Sequence, residues 1–124
     1  MAFRKNVKYS LFRNFGFAIE GIFLGLTNEM NLRIQFGFAF LVCLAGYYFN
    51  LKVTEWCIIL FCIAAVIGFE LLNSALEAFM DAIHPDQHIM IGKAKDMAAG
   101  AVLMMAIVSA IIGSLIFWPH FCTF

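Results

Sequence analysis

Charge is scarce in this chain. Of 124 residues only 13% are charged, eight basic and eight acidic, and the formal net charge is zero. Soluble globular domains carry about a quarter charged residues. With 64% hydrophobic residues, 16% aromatic residues and a mean hydropathy of +0.92, the chain has too little polar surface to cover its apolar mass in water. The bilayer is its natural solvent. Total charge points to no partner. No Cys-x-x-Cys pair occurs among the four cysteines, Cys43, Cys57, Cys62 and Cys122. A disulfide framework or thiolate metal site is therefore not expected, and the cysteines read as small buried hydrophobes. The patterns G-x-x-x-x-G-K-[ST] and G-x-G-x-x-G are missing, so no glycine-rich loop announces a nucleotide. Internal repeats and low-complexity segments are absent as well. The first thirty residues lack a compact apolar core with a small-residue cleavage site. No cleavable signal peptide is expected, and insertion would use the mature spans.

What is there is a series of long apolar runs. The length suits one domain over residues 1–124. Residues 1–33 mix Arg4, Lys5, Lys8 and Arg13 with Phe3, Val7, Leu11, Phe12 and Phe15, a pattern that predicts an amphipathic helix on the membrane surface. Gly16, Gly21 and Gly25 weigh against one unbroken helix there. Transmembrane helices are predicted over 34–49, 56–83 and 97–118. Tyr47 and Tyr48 suit an interface belt, and Asn50 to Glu55 reads as a tight polar turn. His84 to Asp96 reads as a polar loop with Pro85 and Gly92 as breakers, and Pro119 as the stop of the last span. Five of the eight Lys and Arg residues precede position 34, and two more, Lys93 and Lys95, lie in the second loop. The positive-inside bias therefore puts the N-terminus and that loop in the cytosol of a multi-pass inner-membrane protein. Small residues spaced four apart on the third span, Ala106, Ala110 and Ser114, read as helix contacts.

The second span carries an anomaly. Fourteen uncharged residues, Trp56 to Phe69, are followed by Glu70, Asn73, Glu77 and Asp81. At about 100° per residue these four share a helix face roughly 80° wide. An ionisable group at the bilayer centre costs about 2.5–3.5 kcal/mol by insertion measurements, so such groups face protein or water. Three helices have little interior of their own, so this face is expected to pack against other helices or other copies of the chain. Glu70 lies about 21 Å along the axis from Trp56, in the cytosolic half of a core about 30 Å thick. Glu29, Glu77, Lys95 and Asp96 fall near the same level. Carboxylates there can hold Mg²⁺ and leave positions for phosphate oxygens. A desolvated carboxylate is a stronger base, and lysines can neutralise phosphate. Phosphoryl transfer needs mainly positioning and charge stabilisation. The same acids would also serve a proton or cation transporter, or a non-catalytic assembly subunit held by buried hydrogen bonds. The residues alone leave these three open.

"ELLNSALEAFMD", residues 70–81, followed by "AKDMAAGAV", residues 94–102, resembles the prokaryotic diacylglycerol kinase family, which includes undecaprenol kinases. The family signature is similar to E-x-x-N-[ST]-A-[IL]-E-x-x-x-D, a polar loop, then A-K-D-x-[AGS]-[AS]. "NEMNLR", residues 28–33, resembles the segment before the first span, while the rest of the N-terminal segment matches only at Gly21. "MAAGAV" and "GSLIFWP" look more like the undecaprenol kinases. The resemblance implies a homotrimeric helical bundle using MgATP, with sites between subunits. It implies Glu70 as the general base that takes the lipid hydroxyl proton, and Glu29 and Glu77 as metal carboxylates. Asn73 would sit beside the reacting groups, Lys95 would bind phosphate, and Asp96 would be its acidic neighbour. Lys93 falls where a basic residue is frequent, and Asp86 and His88 fall in the loop near the nucleotide. Asp81 is left between a functional role and the solvated end of the helix. Pro85 argues against a metal face shared by His84 and His88, and His120 reads as an interfacial residue.

Overall fold

A computed structural model describes residues 11–84 and 88–123. They form four helices: α1 (Leu11–Asn28), α2 (Met30–Tyr48), α3 (Val53–Ile83) and α4 (Ile89–Cys122). Three of them, α2, α3 and α4, are long and apolar enough to cross a membrane. At 31 and 34 residues, α3 and α4 measure about 46 Å and 51 Å, well beyond a hydrocarbon core of about 30 Å. Both therefore carry polar turns past the apolar layer. Helix α3 is the hub, and among the described residues it alone touches each of the other three. The apolar core is small, with Leu32, Leu51, Ile59 and Cys62 buried and large hydrophobic side chains facing outward along every helix. That inversion suits a chain whose solvent is lipid.

The helix ends differ from those read in the sequence, and each difference has a local cause. The described part of the N-terminal segment is one unbroken helix through Gly16, Gly21 and Gly25. The break falls at Glu29, which is extended at φ −115°, ψ 116°. Arg33 Nη1 donates to the carbonyls of Leu26 at 3.0 Å and Thr27 at 2.9 Å, closing the end of α1. α2 therefore starts at Met30, not at residue 34. It ends in a Schellman cap: Asn50 adopts φ 55°, its N–H reaches the Tyr47 carbonyl, and the Leu51 N–H reaches the Gly46 carbonyl. α3 then begins at Val53 because the Glu55 carboxylate accepts the Lys52 N–H at 2.9 Å. The predicted turn over 50–55 is thus already helical at its last three residues. α4 starts at Ile89, so Lys93, Lys95 and Asp96 lie on a helix and Gly92 does not break it. Pro119 lies inside the last turns and does not stop the helix. It forfeits only one backbone hydrogen bond, the one its missing N–H would have made.

The cysteines are free, but only Cys62 is buried, and Cys57 and Cys122 are exposed. The surface-helix residues Phe3, Arg4, Lys5, Val7 and Lys8 lie outside the described residues, as does Asp86.

Candidate active site

Helix α3 carries the acidic face inward. Glu70 is 4% exposed and Asn73 8%, both within the single chain. The expected packing of this face against other helices is met for those two residues by α1 and α2 of the same chain, whereas Glu77 is half-buried and Asp81 exposed. α1 comes close at Gly25, where an added Cβ would stand 2.7 Å from Leu32 Cδ2 and 2.9 Å from Leu71 Cδ2, the mobile ends of two side chains, the second next to Glu70 in sequence.

The break at Glu29 turns the start of α2 toward the same point. Glu29 and Glu77 are the charged neighbours of the Glu70 carboxylate, and Asn31 and Gln35 present side-chain amides to it. Asn73 Nδ2 donates to Glu77 Oε1 at 3.2 Å. Two buried amide oxygens in this region, Gln35 Oε1 and Asn73 Oδ1, accept no hydrogen bond among the described residues. A buried acceptor without a donor costs about 1–3 kcal/mol. Three like-charged groups around two such acceptors form a poor structural arrangement and a suitable reception site for hydroxyl donors and cations.

Gln35 also lines a second feature. An apolar groove of about 620 Å³ runs between α2, α3 and α4, past Phe38, Val42, Ile63 and Gly113 to Phe117. Its wall of small residues includes Ser109, whose buried hydroxyl has no hydrogen-bond partner among the described residues. The groove joins the apolar mid-section of the helices to the polar cluster through one side chain.

The other sequence candidates lie further toward the 84–88 connection. Lys95 pairs with Asp81 across the α3–α4 contact. Lys93 and Asp96 are exposed on α4, and no hydrogen bond or ion pair joins them to the cluster among the described residues. His88 Nδ1 accepts the Met90 N–H at 3.1 Å and so caps α4. The rings of His84 and His88 lie 5.3 Å apart despite the intervening proline. Sequence reasoning gave neither Asn31 nor Gln35 a role. A glutamine inside an apolar span is itself a signal of an interior-facing position. His120 is not merely interfacial: its Nε2 lies 3.1 Å from Glu55 Oε2 and ties α4 to the start of α3.

No set of three or more His, Cys, Asp or Glu side chains among the described residues converges on a metal-sized site. The donor chemistry of Glu29 and Glu77 nevertheless fits Mg²⁺. That ion takes hard oxygen ligands from one or two carboxylates and fills the rest of its shell with water and phosphate.

These features define a helical, multi-pass membrane protein with a buried carboxylate at one end of an apolar groove. The sequence profile described as prokaryotic diacylglycerol kinase matches residues 16–117, and the chain belongs to that family. It is 37% identical to the undecaprenol kinase of Bacillus subtilis, over 93% of this chain and 94% of that one. It is 29% identical to the diacylglycerol kinase of Escherichia coli, over 86% and 87% of the two chains. It is 32% identical to the diacylglycerol kinase of Synechocystis, over 94% of this chain and 69% of that one.

Proposed function

We propose that the protein is an ATP-dependent lipid kinase that transfers the γ-phosphate to a lipid alcohol, diacylglycerol or undecaprenol, at the cytosolic surface of the inner membrane. The observation that carries this reading is the position of Glu70. It is buried beside amide acceptors that have no partner among the described residues, at the end of the groove that Gln35 lines. A long apolar tail fits the groove, and its alcohol head then reaches the carboxylate. Glu70 takes the hydroxyl proton. The lipid oxygen bonds to the γ-phosphorus, the bond from that phosphorus to the β–γ bridging oxygen breaks, and ADP leaves with the electron pair. Gln35 Oε1 and Asn73 Oδ1 orient the hydroxyl before transfer. Glu29 and Glu77 would hold Mg²⁺, which when bound offsets negative charge on the phosphate oxygens. Lys95 binds phosphate, and His88, Asp86, Lys93 and Asp96 border the nucleotide. The basic residues before position 34 and at 93 and 95 favour a cytosolic placement of this end. The homotrimer is supported by the family resemblance.

The test is transfer of radiolabelled phosphate from MgATP by purified protein in mixed micelles, with undecaprenol and diacylglycerol in separate reactions. Undecaprenol is the first to try, because the relative at 37% identity bears that name. Label in one lipid, lost in Glu70→Gln, is the expected result. No label in either from well-folded protein, with proton or cation flux in vesicles, would replace the kinase by a transporter.

A further inference from the structure

We infer that Asp81 is a positioning residue for the nucleotide: it holds the Lys95 ammonium on the acidic face of α3, where the phosphates are to be met. The inference rests on the kinase reading above. Asp81 continues the stripe of Glu70, Asn73 and Glu77, one turn beyond Glu77. It reaches across to Lys95 in the second turn of α4, and among the described residues this is the one ion pair joining α3 to α4 at this end.

The chemistry of the pair suits orientation better than stability. Lys95 is half-buried at 36% and Asp81 exposed at 63%, and ion pairs this open to water stabilise little. A lysine has a flexible four-carbon stem and no preferred direction of its own. Lys93 shows the alternative, an exposed cation on the same helix that pairs with nothing among the described residues. Tethering to Asp81 spends one of the three donors of the Lys95 ammonium and leaves two for phosphate oxygens. The carboxylate therefore need not be displaced when a triphosphate arrives. It restricts the cation beforehand, and the entropy of fixing a long side chain is lost in folding instead of in binding.

The experiment is steady-state kinetics with MgATP and the accepted lipid, for wild type, Asp81→Asn, Asp81→Ser and Asp81→Glu. Asp81→Asn and Asp81→Ser should raise KM for MgATP roughly three- to tenfold, with kcat and KM for the lipid within about twofold of wild type. Asp81→Glu, which restores the charge, should bring KM back. In Lys95→Ala, equilibrium dialysis against MgATP should give the same affinity with and without Asp81→Asn. A wild-type KM in both neutral variants would overturn the inference, as would an Asp81→Asn effect that persists in Lys95→Ala, while the kinase reading stood. Absence of any phosphate transfer by wild type would overturn both.

Discussion

Helix α3 carries one carboxylate in its first turn, Glu55, and another just past its midpoint, Glu70, and their surroundings are opposite. Glu55 accepts the Lys52 backbone N–H at 2.9 Å and lies 3.1 Å from His120, so each oxygen has a donor. Glu70 is 4% exposed, and its charged neighbours are two further carboxylates, Glu29 and Glu77. Around Glu55 the aromatic rings of Phe49, Phe117 and Phe121 close a satisfied cluster. Around Glu70 two buried amide oxygens accept no hydrogen bond among the described residues. The same residue type is used once for stability and once against it. Where a fold gathers like charges and unpaired acceptors that folding alone does not explain, a ligand is the natural account.

The strongest way to break this contrast is to neutralise both acids in turn. Glu70→Gln should lower phosphate transfer by about 10²–10⁴-fold, the usual scale for a lost general base. Its unfolding temperature should stay level or rise, because a buried charge among like charges has been removed. Glu55→Gln should do the reverse, with transfer retained and unfolding earlier. Label transfer and thermal unfolding in the same detergent read both variants. Loss of transfer in Glu55→Gln equal to that in Glu70→Gln would erase the distinction between the two ends.

Within the Glu70 end, the roles of the three acids should separate. Glu77→Gln should raise the Mg²⁺ concentration for half-maximal activity roughly tenfold, since a neutral amide is a poorer ligand for a hard dication. An unchanged metal requirement would remove Glu77 from metal binding. Asn73 donates to Glu77 at 3.2 Å, so Asn73→Ala should shift the same metal dependence in the same direction, by less.

The acidic face of α3 was legible in the sequence, and the reason is periodicity. Glu70, Asn73, Glu77 and Asp81 lie on one helix, and a single helix has a face that spacing alone can reveal. The three long apolar helices were legible for the same reason. What spacing could not reveal is which side chains come from other helices. Asn31 and Gln35 reach Glu70 only because the chain breaks at Glu29, and that break depends on Arg33 reaching back to the Leu26 and Thr27 carbonyls. The helix ends were misjudged where capping is made by side chains not usually read as caps: Glu55 at the start of α3 and His88 at the start of α4. That α1 and α2 are the helices against which Glu70 and Asn73 are buried was also illegible. Gly25, a residue that in sequence weighed against a helix, is in the fold a contact with Leu32 and Leu71.

Two glycines extend the comparison from charges to packing. At Gly46 an added Cβ would meet the rigid indole of Trp56 at 2.8 and 2.9 Å and Leu51 at 3.0 Å. At Gly25 it would meet only the ends of the Leu32 and Leu71 side chains, which can rotate away. Gly46→Ala should therefore destabilise by about 1–3 kcal/mol, the scale of overpacking, with the remaining folded protein fully active. Gly25→Ala should cost less stability and more turnover, because the atoms that move adjoin Glu70. Specific activity per folded molecule, set against unfolding temperature, separates the two. Equal behaviour would mean that α1 does not position the site.

The smallest effect is expected at His120, and it tests whether the far end is a clamp or only a packed cluster. Its ring does two things: Nε2 meets the Glu55 carboxylate, and the ring packs tilted against Phe49 with centroids 6.2 Å apart. His120→Ala removes both, whereas His120→Phe keeps a ring and removes the hydrogen bond. If the hydrogen bond joins α3 to α4, both variants should unfold slightly earlier than wild type, His120→Ala the more so. If packing alone holds the ends, His120→Phe should match wild type. In either variant phosphate transfer should be unchanged, because no described contact connects His120 to Glu70. A fall in transfer from His120→Phe would mean that the two ends of α3 are coupled through the groove that runs between them.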